Sequence, residues 1–328
     1  MAKLIRVGFV GAGGIANAHA DALSKVDGVE IVGVTDAVAE SAEKLATKTG
    51  AKIFPDEAAL AADAGLDAMF IFTPPFARGK PEHVALKHKI PFFAEKPLML
   101  DTAVSDEITA EIDRVGLITC TGYMNRYRKS IQFAKEKFQA EPAILAYGGW
   151  WGGTPGGGGS WWPDKKRSGG QFHEQATHTV DIARYFFGEV AEVWAAAAHG
   201  FVGEIPGYSM DDALTVALKF VDGGVANLMC SVSSNAGGDL FLNVHSLTHN
   251  FKFTGWEHSL VATEKGKEPE SIPGEPDIFA IEDAAFIKAV RENDPSSIQS
   301  DYRDGAKSAA VSLAANKSAE TGKVVSLV

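Results

Sequence analysis

Cysteine is nearly absent from this sequence: Cys120 and Cys230 are the only two in 328 residues, too far apart for the spacing of a metal site or a redox pair. That scarcity fits a reducing compartment such as the cytoplasm. Positive charge is also short, since 31 Lys and Arg face 42 Asp and Glu for a formal charge of -11. A phosphate backbone would be repelled unless a basic stripe compensated, and the longest basic run is Lys165-Lys166-Arg167, so nucleic acid is not an expected partner. No apolar run approaches the ~20 residues that span a bilayer, which removes the membrane as a partner. Lys3 and Arg6 before the apolar stretch 7–18 imitate a secretory signal, but four glycines interrupt that stretch and serve a better purpose below. Internal repeats are missing too. The low-complexity run 156–159 is too short for an interdomain linker, and a mobile loop over a site is the expectation there.

What remains is an ordinary globular composition, 45% hydrophobic and 22% charged, in a chain longer than one core usually serves. Two domains are expected, 1–124 and 125–328, with the last helix free to pack back on the first. In the first, short β-branched or aromatic runs (4–10, 30–35, 68–73, 91–94, 117–122) alternate with segments of helical apolar spacing (15–25, 37–49, 56–64, 81–89, 102–115). Such alternation predicts a doubly wound parallel sheet covered on both faces. In the second, a helix over 128–138 and a strand over 144–151 precede a Gly- and Trp-rich stretch. A continuous helix is predicted over 174–187, then period-two strands over 192–198, 213–221, 225–233 and 240–247. Val221-Asp222-Gly223-Gly224 reads as a hairpin turn, because Asp-Gly and Gly-Gly accept positive φ. The fold class is therefore α/β, a doubly wound parallel-sheet domain followed by an α+β domain with a large, open, mostly antiparallel sheet. Helices over 278–292 and 302–321 close the chain, with Gly322 as a stop.

Gly11-Ala12-Gly13-Gly14-Ile15-Ala16 follows the first strand and opens a helix. Small residues there permit a tight turn, let the backbone approach a pyrophosphate and allow close helix packing, while the helix N-terminus favours the anion. Asp36 ends the second strand, where a carboxylate can accept from the adenosine ribose hydroxyls and would repel a 2'-phosphate; NAD is favoured over NADP. A cap for the following helix is the alternative for Asp36. Thr73-Pro74 and Glu95-Lys96-Pro97 both lie at carboxyl ends of strands, where open α/β sheets bind ligands. Thr73 and Pro74 are candidates for a wall beside the nicotinamide, or for a plain helix-initiating turn. Lys96 can hydrogen-bond a substrate hydroxyl and stabilise alkoxide character.

Further on, Glu174 and His178 stand four apart, on one face of a helix, with Asp181 a turn beyond. A carboxylate one turn before an imidazole orients it and suits it to accept a hydroxyl proton near neutral pH. No second histidine completes a metal-binding pair, so no metal is expected.

In order and spacing these motifs strongly resemble the glucose-fructose oxidoreductase, inositol dehydrogenase and MocA family, Gfo/Idh/MocA, across essentially the whole chain. The resemblance implies NAD as cofactor, with Gly11, Gly13, Gly14, Ile15, Ala16, Asp36, Thr73, Pro74, Glu95 and Lys96 around it. It implies that Lys96 and His178 attend the reacting hydroxyl, with Glu174 where the family usually has aspartate, and that Arg126 lies in a pocket-lining segment. It also implies a homodimer or homotetramer assembled through the C-terminal sheet. Departures are Ala176 in place of a common glycine and a tryptophan group, Trp150, Trp151, Trp161 and Trp162. Such rings stack on sugar C–H faces or simply pack. Trp162 and Arg167 are further substrate candidates, Arg167 for an anionic substituent. The expected activity is hydride transfer from a CH–OH carbon of a polyol or carbohydrate, with His178 taking the proton and Lys96 polarising the oxygen. The rivals are redox-neutral elimination or glycoside cleavage with recycled NAD, and a non-catalytic nucleotide or sugar sensor.

Overall fold

The computed structural model describes residues 3–155 and 160–328. The glycine run 156–159, read above as a loop over a site, lies outside the described residues. The chain forms two compact units, 1–124 with 277–306, and 125–276 with 307–328.

In the first unit, β1 (Ile5–Val10), α1 (Gly14–Leu23), β2 (Val29–Thr35), α2 (Ala39–Thr49), β3 (Lys52–Ile53), α3 (Glu57–Asp63), β4 (Ala68–Ile71), α4 (Lys80–His88), β5 (Phe92–Ala94), α5 (Thr102–Val115) and β6 (Thr119–Thr121) follow one another. The six strands are parallel in the order β3-β2-β1-β4-β5-β6, the doubly wound dinucleotide-binding order whose direction reverses between β1 and β4. Helix ends follow local chemistry. Asp56 and Asp101 accept amide hydrogens at the starts of α3 and α5, while Gly50 and Gly116 take left-handed φ at the ends of α2 and α5. The core under the sheet includes Ile5, Phe9, Phe70 and Phe93 with no exposed surface, each such side chain contributing roughly 1.5–3 kcal/mol by burial.

The second unit opens with α6 (Lys129–Ala140), β7 (Leu145–Trp151), α7 (Lys165–Ser168), α8 (Gly170–Glu174) and α9 (Thr177–Phe187). It continues as β8 (Val190–Ala198), β9 (Ala213–Phe220), β10 (Val225–Ser231), β11 (Asp239–His245), β12 (His249–Thr254), β13 (Ser259–Glu264) and β14 (Glu270–Ile272). Next come α10 (Ile278–Glu292), α11 (Tyr302–Thr321) and β15 (Val325–Ser326). Nine strands form one sheet, β14-β13-β12-β11-β7-β10-β9-β8-β15, with β7 and β10 parallel and the other neighbours antiparallel. Strands β9 and β10 turn at Gly223, whose φ is +92°, as the Asp-Gly-Gly signal required. Alternate residues of these strands are buried against α6, α9 and α11, and the opposite face carries Tyr147, Trp194 and Met229 partly exposed. No helix among the described residues is long and apolar enough to cross a membrane.

The segment that joins the first unit is 277–306, which takes in α10, packed on α1, and the first turn of α11. One expectation is corrected. The helix expected over 174–187 is broken: the amides of Gln175 and Ala176 both bond to the Gln171 carbonyl, the chain slips out of register, and α9 starts afresh at Thr177. Glu174 therefore closes α8, and His178 lies in the first turn of α9.

Candidate active site

Within the first unit the glycine turn joins β1 to α1. Gly11 has φ +102°, and a Cβ there would sit 3.0 Å from the Phe72 carbonyl carbon, so a larger residue would have to force both backbone and neighbour. At Gly13 and Gly14 a Cβ would meet nothing within 4 Å, and the start of α1 carries no side-chain cap. Open space in front of uncapped amides at a helix N-terminus fits a diphosphate. Ile15 and Ala16 face inward, onto the core under the sheet. The Asp36 carboxylate braces this turn: Oδ2 accepts from the Ala12 amide at 2.6 Å and Oδ1 from Val38 at 2.7 Å. It does not cap α2, whose N-cap is Val38 without a side-chain bond.

Thr73 and Pro74 follow β4 at the other side of the reversal point. The Thr73 carbonyl is held at 2.7 Å by the Arg78 guanidinium, which is itself buried beside Glu82. Burial, outweighing Arg78, raises the Glu82 carboxyl above its ordinary range. Lys96 emerges directly after β5, partly exposed, and Lys96-Pro97 is a cis peptide. Glu95, expected among the cofactor contacts, is bonded within the protein. Its Oε1 meets His19 Nε2 at 3.0 Å and its Oε2 accepts from the Lys96 amide at 3.0 Å, so both oxygens serve the protein's own frame.

Within the second unit His178 lies in the first turn of α9, buried among aromatics. Trp150 stacks on it at 6.2 Å between centroids, and Trp256, in the turn between β12 and β13, stands edge-on at 6.4 Å. The two indoles meet each other at 5.8 Å. Glu174, at the end of α8, accepts a 2.9 Å hydrogen bond from the Trp162 indole N–H. The tryptophan group is therefore not one cluster. Strand alternation sends Trp150 toward His178 and Trp151 to the other face, against Phe241 at 5.7 Å.

Arg126, expected at the substrate, is 4% exposed, and its guanidinium binds Asp181 in bidentate fashion at 2.8 and 2.7 Å over the Tyr185 ring. Asp181 takes a further bond from Ser308, so the carboxylate expected a turn beyond His178 is matched to a cation of its own. Arg167 is exposed on the short helix α7. No group of three or more His, Cys, Asp or Glu among the described residues could hold a metal ion.

Sequence reasoning missed His19, Asp283, Arg128 and Trp256. Only His19 left a signal, a histidine on the same helical stripe as the buried Ala16, Ala20 and Leu23.

The description "Oxidoreductase family, NAD-binding Rossmann fold" matches residues 5–123, and the "GFO/IDH/MocA C-terminal domain" matches 144–252. The chain belongs to the Gfo/Idh/MocA family. This Gfo/Idh/MocA oxidoreductase is 29% identical to scyllo-inositol 2-dehydrogenase (NAD(+)) of Bacillus subtilis, over 100% of this chain and 97% of the relative. It is 26% identical to Myo-inositol 2-dehydrogenase of Thermotoga maritima, over 98% of each. The fold of levoglucosan dehydrogenase, solved as a complex with NADH, superposes with a TM-score of 0.89 at 18% identity, covering 99% of both chains.

Proposed function

We propose that this protein is an NAD(H)-dependent dehydrogenase that acts on a CH–OH carbon of a sugar, sugar derivative or cyclitol. The observation that carries the reading is His178, buried against Trp150 and Trp256 in one unit, together with Lys96, after β5, in the unit that also carries the glycine turn. The inositol dehydrogenases named above support the substrate class.

Gly11, Gly13, Gly14, Ile15 and Ala16 present the α1 N-terminus to the diphosphate, and Asp36 accepts from the ribose hydroxyls. Its negative charge favours NAD over NADP. Thr73 and Pro74 wall the nicotinamide, which when bound accepts or returns the hydride. Lys96 donates to the substrate oxygen and stabilises its growing negative charge. His178 takes the hydroxyl proton, in a slot whose indole walls limit water. Glu174, held by Trp162, sets the negative field that favours proton uptake; apolar indole surface suits the C–H face of a ring. Arg126 holds Asp181 on α9, the helix that carries His178, and Arg167 reaches for substituents from the surface. Both cysteines are buried thiols, in keeping with a reducing cytoplasm.

We further propose assembly into a homodimer or homotetramer through the outer face of the nine-stranded sheet. Tyr147, Trp194 and Met229 are 37–44% exposed there, beside an apolar depression of about 660 Å³ lined by Trp151, Ala196, Leu214 and Met229.

The test is a panel of sugars, cyclitols and glycosides incubated with NAD+ or NADP+, with NADH formation followed by absorbance. Lys96→Ala and His178→Ala should each cut kcat about 10²–10⁴-fold while NADH binding stays near wild type. Wild-type rates in both variants would sink the role assignment, and turnover without added cofactor would replace net oxidation by a redox-neutral reaction.

A further inference from the structure

His19 is fully buried in the second turn of α1, with a carboxylate on each side. Its Nδ1 lies 2.8 Å from Asp283 Oδ1, on α10, and its Nε2 lies 3.0 Å from Glu95 Oε1, at the end of β5. A neutral imidazole has one N–H, and would set a lone pair against one of the two acceptors. A protonated ring donates to both. The rest of its surroundings also favour a cation: Phe72, Phe93 and Phe279 approach at 4.9, 5.2 and 5.0 Å between centroids, with Phe70 at 6.3 Å. Burial alone would lower the pKa of this ring, but Asp283 and Glu95 outweigh it and raise the value to about 10. Burial raises the Asp283 carboxyl, with the Glu95 charge acting in the same sense. Arg78 is a further charged group near Glu95.

An ionic trio in such a place carries a desolvation cost that apolar side chains of equal volume would avoid, so its benefit is in geometry instead of stability. The geometry has a clear endpoint. With Oε1 pinned by His19, Oε2 is left to accept from the Lys96 amide at 3.0 Å. Gly122 closes the other side, where a Cβ would lie 2.5 Å from Glu95 Oε1. The same α1 that begins at the glycine turn thus fixes, through one ring, the backbone from which Lys96 projects.

We propose that His19, assisted by Asp283, is a positioning residue for Lys96: an imidazolium donating to both carboxylates that locks Glu95 onto the Lys96 amide. This rests on the proposed role of Lys96 at the substrate oxygen. It adds a residue that touches neither substrate nor cofactor and acts only through Glu95.

Nitrogen-15 and amide NMR of the full chain, with steady-state kinetics of His19→Gln and Asp283→Asn, tests it. In the wild type both ring nitrogens of His19 should show the protonated signature throughout about pH 5–9, where an ordinary histidine titrates. In His19→Gln the Lys96 amide resonance should move and kcat should fall on the order of ten- to a hundredfold, with KM and the NADH Kd within about twofold. Asp283→Asn should change the same readouts in the same direction and to a smaller extent, and it carries the kinetic test if His19→Gln does not fold. Titration of His19 near its ordinary value, or an unmoved Lys96 amide and kcat in the folded variants, overturns the proposal. If the wild type oxidises nothing in the polyol panel, the dehydrogenase reading fails on its own, and the ring nitrogens and Lys96 amide still decide whether the lock exists.

Discussion

The two units each bury a histidine, and they do opposite things with it. His19 in the first stands between two carboxylates and is held up to about 10, against the pull of burial. His258 in the second is as deeply buried, but its neighbours are Arg128 and the Trp256 carbonyl, and it falls to about 4, through burial first and the arginine second. Depth does not decide the charge; the partners do. The cations differ in the same way. The first unit matches its imidazolium with side-chain carboxylates, whereas the second holds the Arg128 guanidinium mainly by carbonyls. Nη1 donates to Glu275 at 2.6 Å and to Glu257 at 3.1 Å, Nη2 to Trp256 at 3.0 Å, and Nε to Asn125 Oδ1 at 2.7 Å. Arg128 therefore orders the turn that carries Trp256 to the edge of His178.

The sharpest way to break this contrast is Arg128→Met. Three partly buried carbonyls would lose their donor, and the second unit should lose about 1–3 kcal/mol of stability while NADH binding by the first survives. A calorimetric change below about 1 kcal/mol would show that the carbonyl cage is incidental.

A second contrast concerns sheet faces: both faces of the first unit's sheet belong to its core, whereas the second unit's outer face is open. Trp194→Asp, on that face, should convert an oligomer to monomer as read by light scattering, for about 1–3 kcal/mol per desolvated charge in the interface. A wild type that is already monomeric would remove the assembly proposal.

A third contrast is in pH dependence. His19, raised above its unfolded value of 6.5, contributes stability that is present below pH 6.5 and lost as pH rises through about 10. His258, depressed, is the reverse: stability is lost as pH falls from 6.5 toward about 4 and then levels. Denaturant midpoints should therefore decline on both flanks. His258→Asn should flatten the acid flank alone, and a flattened alkaline flank in that variant would contradict the division.

The same contrast governs what could be read from sequence. The alternating elements of the first unit announce themselves, because a strand buried on both faces is a short apolar run and the helices between them show helical apolar spacing. Only β3, two exposed residues long, escaped. In the second unit β12 reads His-Asn-Phe-Lys-Phe-Thr and β14 Glu-Ser-Ile, too polar and short to stand out from turns, and their pairing comes from neighbours. The break at Gln175 is likewise a tertiary outcome in a stretch with good helical spacing. Lys96 and His178 stand out in the sequence as candidates, one just after a strand end and the other four residues beyond Glu174. Trp256, Arg128 and Asp283 do not, since their positions acquire meaning only when distant segments come together.

The first unit is discontinuous, 1–124 with 277–306, and that has a practical cost for anyone who would cut the gene at the obvious boundary. A product ending at residue 124 would lack Phe286, which lies edge-on to Phe70 at 5.3 Å, and would leave His19 with a single counter-ion. Such a truncation would keep every cofactor motif intact and still be missing part of its own interior.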